Sequence, residues 1–190
     1  MDLPTASSTS SGFALFETAL GFCGIAWNDR GIMALQLPEG TDARTRARLI
    51  RRCPGAQEAP PPTHVKAAIN AIVELLGGEA RDLSAIALDM ADIPEFDRRV
   101  YEIARTIAPG ETLSYGNVAR RLGEPNAARD VGQALGRNPF PIIVPCHRVV
   151  ATGGKLGGFS ARGGAATKQR LLAIEAAHAP LPLFRLGGRG

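Results

Sequence analysis

Cysteine and histidine are scarce in this 190-residue chain, and the scarcity excludes two classes of site. Cys23, Cys53 and Cys146 are too few and too scattered for a disulfide framework. No CxxC or clustered Cys/His spacing offers zinc a home, so no metal is expected. His64, His147 and His178 are the only histidines. The opening MDLPTASSTSSG has neither a basic start nor an apolar run of signal-peptide length, and no stretch approaches a membrane span. A cytoplasmic protein without a membrane partner is therefore expected. Internal repeats are absent too. What remains is ordinary globular composition, 45% apolar and 21% charged, enough for one large domain or two small ones.

Charge is distributed unevenly. Residues 1–92 carry eight Lys/Arg against eleven Asp/Glu, net −3, whereas residues 93–190 carry fourteen against seven, net +7. A basic half reads either as a surface for a polyanion such as nucleic acid or as a solvated face of an arginine-rich protein. In the acidic half, FALFET, FCGIAW and GIMALQL are short strand-like runs separated by turn residues, which predicts a small antiparallel sheet. TDARTRARLIRR has helical composition, and the proline-rich stretch 53–63 is predicted to be an extended surface linker. HVKAAINAIVELLGG places Val65, Ile69, Ile72 and Leu76 on one helical face, and SAIALDM reads as a strand or extended connector. The domain boundary is placed near residue 92, giving an N-terminal sheet-and-helix domain (1–92), a second domain (93–178) and a flexible tail (179–190).

The basic half opens with Pro94 and Glu95 in the first turn of a helix whose face is Phe96, Val100, Ile103, Ala104 and Ile107. Ser114 can cap a short helix, a GEP turn follows, and Pro125 opens another helix running to Arg137. Two helices with a glycine-bearing turn spell a helix-turn-helix. On the second of them Ala128, Val131 and Leu135 can bury, leaving Arg129, Gly132, Gln133 and Gly136 as a nearly flat face. Each glycine there costs about 1 kcal/mol relative to alanine, which invites close approach by nucleic acid or by a packed helix. Asp130 works against phosphates. A last helix is predicted over about Ala165–Ala177.

The stretch NPFPIIVPCHRVV, residues 138–150, sets a cysteine beside a histidine between prolines. Ile142-Ile143-Val144 reads as a buried strand that ends at Pro145, with Cys146 at its exit. A thiol there is either ordinary packing or a nucleophile, and the stretch alone leaves both open. Neighbours on an extended chain point opposite ways, so a joint role for Cys146 and His147 requires the chain to turn there.

Taken together, Pro145-Cys146-His147-Arg148-Val149, Ser114-Tyr115, Arg129 with Val131-Gly132, Asn138-Pro139, Gly158-Phe159-Ser160 and LLAIE ending in Glu175 resemble, in order and spacing, the O6-alkylguanine-DNA alkyltransferases, or methylated-DNA–protein-cysteine methyltransferases. The resemblance covers residues 93–177. It implies an α/β (α+β) protein, with a small RNase H-like antiparallel sheet-and-helix domain before a mostly helical, winged helix-turn-helix-like catalytic domain. It implies single-use transfer, without a metal or cofactor, of a methyl or other alkyl group from O6-alkylguanine, or O4-alkylthymine, in double-stranded DNA to Cys146 of a monomer.

By the same resemblance His147 takes the thiol proton through a bridging water, Glu175 orients the imidazole, and Tyr115 serves the leaving guanine. Asn138 is the hinge, while on the residues alone it is equally a helix terminator. Ser160, Gly157 and the carbonyl of Val149 would bind the base. Arg129 would fill the gap left by the flipped nucleotide, with Ala128, Gly132, Gln133 and Ser114 against the DNA. Without the resemblance Glu175 reads as a surface ion pair or a partner for His178, and Tyr115 as an exposed tyrosine.

Three positions depart from the family pattern: Tyr101 where tryptophan is frequent, Asp130 after the arginine, and Ala161-Arg162 where a glycine or an Ala-Pro pair is common. A non-catalytic relative that recognises alkylated bases would lack the cysteine. A plain helix-turn-helix regulator would leave PCHRV, Tyr115 and Glu175 unexplained, and a cysteine hydrolase would need an oxyanion site that cannot be traced.

Overall fold

A computed structural model describes residues 11–177 of the chain. Strands β1 (Gly12–Thr18), β2 (Gly21–Asn28) and β3 (Gly31–Gln36) form an antiparallel meander. Gly21 and Gly31 sit in the turns with positive φ, which a side chain would resist. A two-residue strand, β4 (Gln57–Glu58), pairs parallel to β1 and completes the order β3-β2-β1-β4. The proline-rich stretch 53–63 is thus not a free linker throughout. Gln57 and Ala59 donate to Ser11 and Phe13, and Cys53 is buried, so its middle is bound to the sheet edge.

Alternating side chains bury both faces of this sheet. Phe13, Ala26 and Ala34 pack with Leu49 of α1 (Asp42–Arg52), whose Thr41 side chain caps the helix by accepting from Arg44 N–H. Ile25, Trp27 and Leu35 face the other way into a larger core shared with α2 (Thr63–Leu76) and with the second half of the chain. On α2 the sequence face is nearly right: Val65, Ile72 and Leu76 are buried, but Ile69 is half-buried and Ala68 and Leu75 lie deeper. SAIALDM is an extended connector that meets β3 through a single bridge, with Ile32 N–H on Ala87 and Asp89 N–H on Ile32.

The second half begins with α3 (Glu95–Arg105), which buries Val100, Tyr101 and Ala104. Tyr101 donates to the Ala134 carbonyl at 2.9 Å and meets Phe140 edge-on. Asp97 is buried as well, a placement the apolar pattern missed, and it pairs with Arg137 in two hydrogen bonds of 2.9 and 3.1 Å.

Helix α4 (Tyr115–Arg121) starts at Ser114, whose hydroxyl accepts from Asn117 N–H, and stops at Gly123, which has φ +80 and lets Glu124 N–H reach back to Ala119. The next helix, α5 (Ala128–Gly136), begins three residues later than expected. Pro125 lies instead in a turn closed by Ala127 N–H on Glu124. Strand β5 (Leu113–Ser114) pairs parallel with β6 (Val149–Val150), and α6 (Ala165–Ala176) closes the fold.

The expected strand at Ile142–Val144 is not formed. These residues are buried, but Phe140 accepts from Val144 N–H in a tight turn, and Ile142 has φ 75, which a β-branched residue rarely adopts. The hydrophobic run was therefore a sign of burial and not of extension. Residues 1–10, His178 and the expected tail 179–190 lie outside the described residues.

Candidate active site

The turn that replaces the strand sets up the site. Asn138, buried, closes it with both ends of its amide: its oxygen accepts from Phe140 N–H at 2.9 Å, and its nitrogen donates to the Val144 carbonyl at 2.9 Å. The turn is also held from outside, since Leu35 N–H of β3 donates to the Pro139 carbonyl at 2.9 Å. Directly afterwards Cys146–Arg148 forms one turn of 3-10 helix, so Cys146 and His147 are not on an extended chain. This is the turn that joint action of the two residues requires.

Cys146 is 7% exposed and His147 fully buried. His147 Nε2 lies 2.8 Å from Glu175 Oε1, and Glu175 also accepts from Arg148 Nε at 2.9 Å and Nη2 at 2.8 Å. Arg148 Nη1 donates onward to the Ile107 carbonyl at 2.6 Å. Burial alone would raise the Glu175 carboxyl, but the bonds from His147 and Arg148 outweigh it and hold it down at about 2. Glu175 is thus an anion at neutral pH and can only accept. The hydrogen on the shared bond must sit on His147 Nε2, which leaves the lone pair on Nδ1. Nδ1 has no hydrogen-bond partner among the described residues. Burial lowers the His147 pKa against the pull of Glu175, so the ring is a neutral base near pH 7. Burial raises the Cys146 thiol, while Asn138, Lys168 and nearby backbone N–H groups act to lower it. A thiol whose pKa is raised by burial must lose its proton before it can attack, and a neutral base can take it.

Those shifts have a sign that can be tested. An ordinary histidine is half charged at about pH 6.5. Because the His147 pKa is lowered, the imidazole remains mostly neutral there and charges only at lower pH. Any reaction of the Cys146 thiol that uses this base should keep its rate from pH 8 down to 6.5 and fall below that. Single-turnover rates against pH would check this; a fall centred at 6.5 or higher would mean that the pull of Glu175 outweighs burial at His147.

Lys168 was not singled out from the sequence. It is completely buried, donates to the carbonyls of Val149 at 2.6 Å and Gly158 at 3.3 Å, and stands 5.7 Å from the Tyr115 ring centre. The signal existed: Lys168, Leu171 and Glu175 fall at i, i+3 and i+7, one face of α6. Lysine on such a face reads as a solvated neighbour unless a partner is known. Arg148 lay inside the PCHRV motif but received no part, and it is half of what binds Glu175.

A cavity of about 530 Å³ opens from Cys146 between α5 and the following loop, lined by Tyr115, Arg129, Gly132, Gly136, Gly158, Phe159 and Ser160 among others. Arg129, Gln133 and Gly136 are exposed on the outer side of α5, and Ala128 and Gly132 are half-buried. Gln133 does not border the cavity. Gly132 has its bare face in ordinary contact with the Tyr115 ring, whereas Gly136 faces open space. Gly157, at φ +70, passes so close to Tyr115 that a Cβ would stand 3.0 Å from the phenol oxygen. Burial raises the Tyr115 pKa, with proximity to Cys146 adding to it, so the hydroxyl keeps its proton at neutral pH. The Val149 carbonyl is buried and already receives the Lys168 ammonium, so only its second lone pair is available to a ligand. Ser114 spends its hydroxyl on the cap of α4.

Residues 95–177 match a family profile described as "6-O-methylguanine DNA methyltransferase, DNA binding domain". The chain is 35% identical over 152 residues, 80% of its own length and 78% of the relative's, to a methylated-DNA–protein-cysteine methyltransferase of Methanothermobacter thermautotrophicus. The chain belongs to the methylated-DNA–protein-cysteine methyltransferases. The reaction of the family is in its name: a methyl group passes from methylated DNA to a cysteine of the protein, a direct reversal of DNA damage. The fold agrees. The crystal structure of Mycobacterium tuberculosis O6-methylguanine methyltransferase superposes with a TM-score of 0.72 at 32% identity, covering 91% of this chain and 97% of that one. The crystal structure of Mycobacterium tuberculosis OGT in complex with DNA gives 0.69 at 31% identity, covering 89% and 95%. No helix among the described residues is long and apolar enough to cross a membrane.

Proposed function

We propose that this methyltransferase takes alkyl groups from O6 of guanine in duplex DNA, and from O4 of thymine, onto Sγ of Cys146. The observation that carries the reading is the His147–Glu175–Arg148 cluster, in which an anion held at about pKa 2 fixes the hydrogen on Nε2 and leaves Nδ1 as a base. His147 accepts the thiol proton through a bridging water. The thiolate attacks the alkyl carbon, the S–C bond forms as the C–O6 bond breaks, and the electron pair passes into the guanine ring. Tyr115, protonated at the cavity wall, donates to the ring as that charge develops. Asn138 holds the turn that presents Cys146. Ser160, Gly157 and the free lone pair of Val149 receive the edges of the base.

Guanine O6 is out of reach of a thiol while the base is stacked, so the nucleotide is flipped at a cost of a few kcal/mol. Exposed Arg129 stands at the cavity and takes the vacated place, with Ala128, Gly132, Gln133 and Ser114 along the DNA. Every reacting group lies after residue 93, consistent with a catalytic domain at 93–178 braced by the 1–92 unit. The thioether product is not readily hydrolysed, so each monomer acts once, without a cofactor, in the cytoplasm.

Intact mass and peptide mapping after incubation with duplex DNA carrying one O6-methylguanine test this directly. One methyl confined to the Cys146 peptide, gained in step with loss of the lesion and stopping at one equivalent, is the expected result. Tight binding with Cys146 unmodified would instead make the protein a damage sensor.

A further inference from the structure

Cys146 borders a second, smaller cavity of about 100 Å³, which α5 touches only through its last residue, Gly136. Its far wall comes from the sheet half of the chain, with Gln36, Glu39, Arg48 and Arg52, and its near wall is the segment Phe159–Ala161. Phe159 and Ser160 line both cavities, so this segment is the partition between them. How far it stands from α1 sets the room behind the thiol.

Few bonds set that distance. Within residues 157–164 three glycines, Gly157, Gly163 and Gly164, have positive φ, and Lys168 holds the near end at the Gly158 carbonyl. The far end is held by Arg162, which donates to the Glu39 carbonyl, while Thr167 donates to the Arg162 carbonyl. The anchor is itself fixed: Glu39 N–H donates to Thr45 Oγ1 at 3.0 Å, and the Glu39 carboxylate accepts from Gln36 at 3.0 Å and pairs with Arg48 at 3.2 Å. Gly40, at φ +95, presents no side chain, and the place where its Cβ would stand is filled by the Arg162 guanidinium. Residues far apart in sequence thus fit as peg and recess.

We infer that the clasp of Arg162 on Glu39–Gly40 is a specificity determinant, holding the Phe159–Ala161 partition inward so that the space behind Cys146 admits a small alkyl group and resists a bulky one. The inference rests on the O6-alkylguanine reading above. Arg162 touches neither the thiol nor the base cavity and acts only by positioning the partition.

The test compares single-turnover transfer from duplexes carrying O6-methylguanine or O6-benzylguanine. Arg162→Ala removes the peg and Gly40→Ala fills the recess, so each should raise the benzyl-to-methyl rate ratio by about tenfold, the scale on which pocket size sorts groups. Arg162→Lys keeps a donor for the Glu39 carbonyl and should return the ratio to within about threefold of native, well inside that range. A purely structural role would lower both rates together. An unchanged or lowered ratio in both disrupting variants, with methyl transfer by the native protein intact, overturns the clasp alone. Absence of methyl transfer by the native protein overturns the reading beneath it as well.

Discussion

Replacing Glu175 with alanine should lower stability by about 3–5 kcal/mol and slow alkyl transfer by roughly 10²–10⁴-fold. The stability loss follows from what is left behind. Arg148 is buried and gives two of its donors to this one carboxylate, and His147 gives a third. Deleting the acceptor strands a buried guanidinium, and such a charge costs far more than the pair itself was worth. In a chain of this size the change would appear as a fall in melting temperature of roughly 6–20 °C. Glu175→Gln separates the two effects, because its carbonyl still accepts a hydrogen bond but no longer balances the imidazolium formed when His147 takes a proton. It should recover part of the stability while remaining slow. Equal recovery of both would reduce Glu175 to a structural residue.

The same carboxylate gives an acid dependence. Its folded pKa of about 2 lies below its ordinary value, so its contribution to stability is complete above about pH 4.5 and is lost as pH falls toward 2. His147 acts in the same direction, since a base whose folded pKa is lowered opposes the folded state once the unfolded chain binds a proton, below about pH 6.5.

Asn138→Ala is expected to be the second severe variant, at about 2–4 kcal/mol, because the buried N–H of Phe140 loses its partner and the buried carbonyl of Val144 is left with the Cys146 N–H alone. The loss extends beyond two bonds. Ile142 is held at φ 75 at a cost of order 1–3 kcal/mol, and the amide of Asn138 spans the turn that imposes it. Without the amide the turn can relax, and Cys146, four residues on, moves with it. Transfer should fall even when the protein is assayed well below its melting point. Asn138→Asp keeps the acceptor for Phe140 but sets a carboxylate against the Val144 carbonyl and beside the thiol, so it should be folded better than the alanine variant and remain as slow. Thermal melts paired with single-turnover rates would check both; an alanine variant within about 1 kcal/mol of native would mean that water replaces the amide.

Much of the frame was legible in the sequence because periodicity reports burial. The three strands of the meander, the α2 face and the Ser114 cap all followed from alternation, spacing and hydroxyl placement. The apolar run at Ile142 misled for the same reason: periodicity cannot tell a buried turn from a buried strand, and only the amide of Asn138 and the contact from Leu35 decide between them. In the site, the motif named Cys146, His147 and Glu175, which the structure brings into one buried region, but not Lys168, because a buried lysine is indistinguishable in sequence from an exposed one. Its partners are two carbonyls, and backbone acceptors leave no trace in side-chain identity.

The short parallel pairing of β5 with β6 has a mechanical meaning. Leu113 is in register with Val149 and Ser114 with Val150, so the cap of α4, the phenol of Tyr115 and the turn bearing Cys146 share one joint. The helix pair and the nucleophile cannot be displaced separately without breaking that register. Any displacement of α4 is therefore passed through two backbone pairs to the turn that bears the thiol.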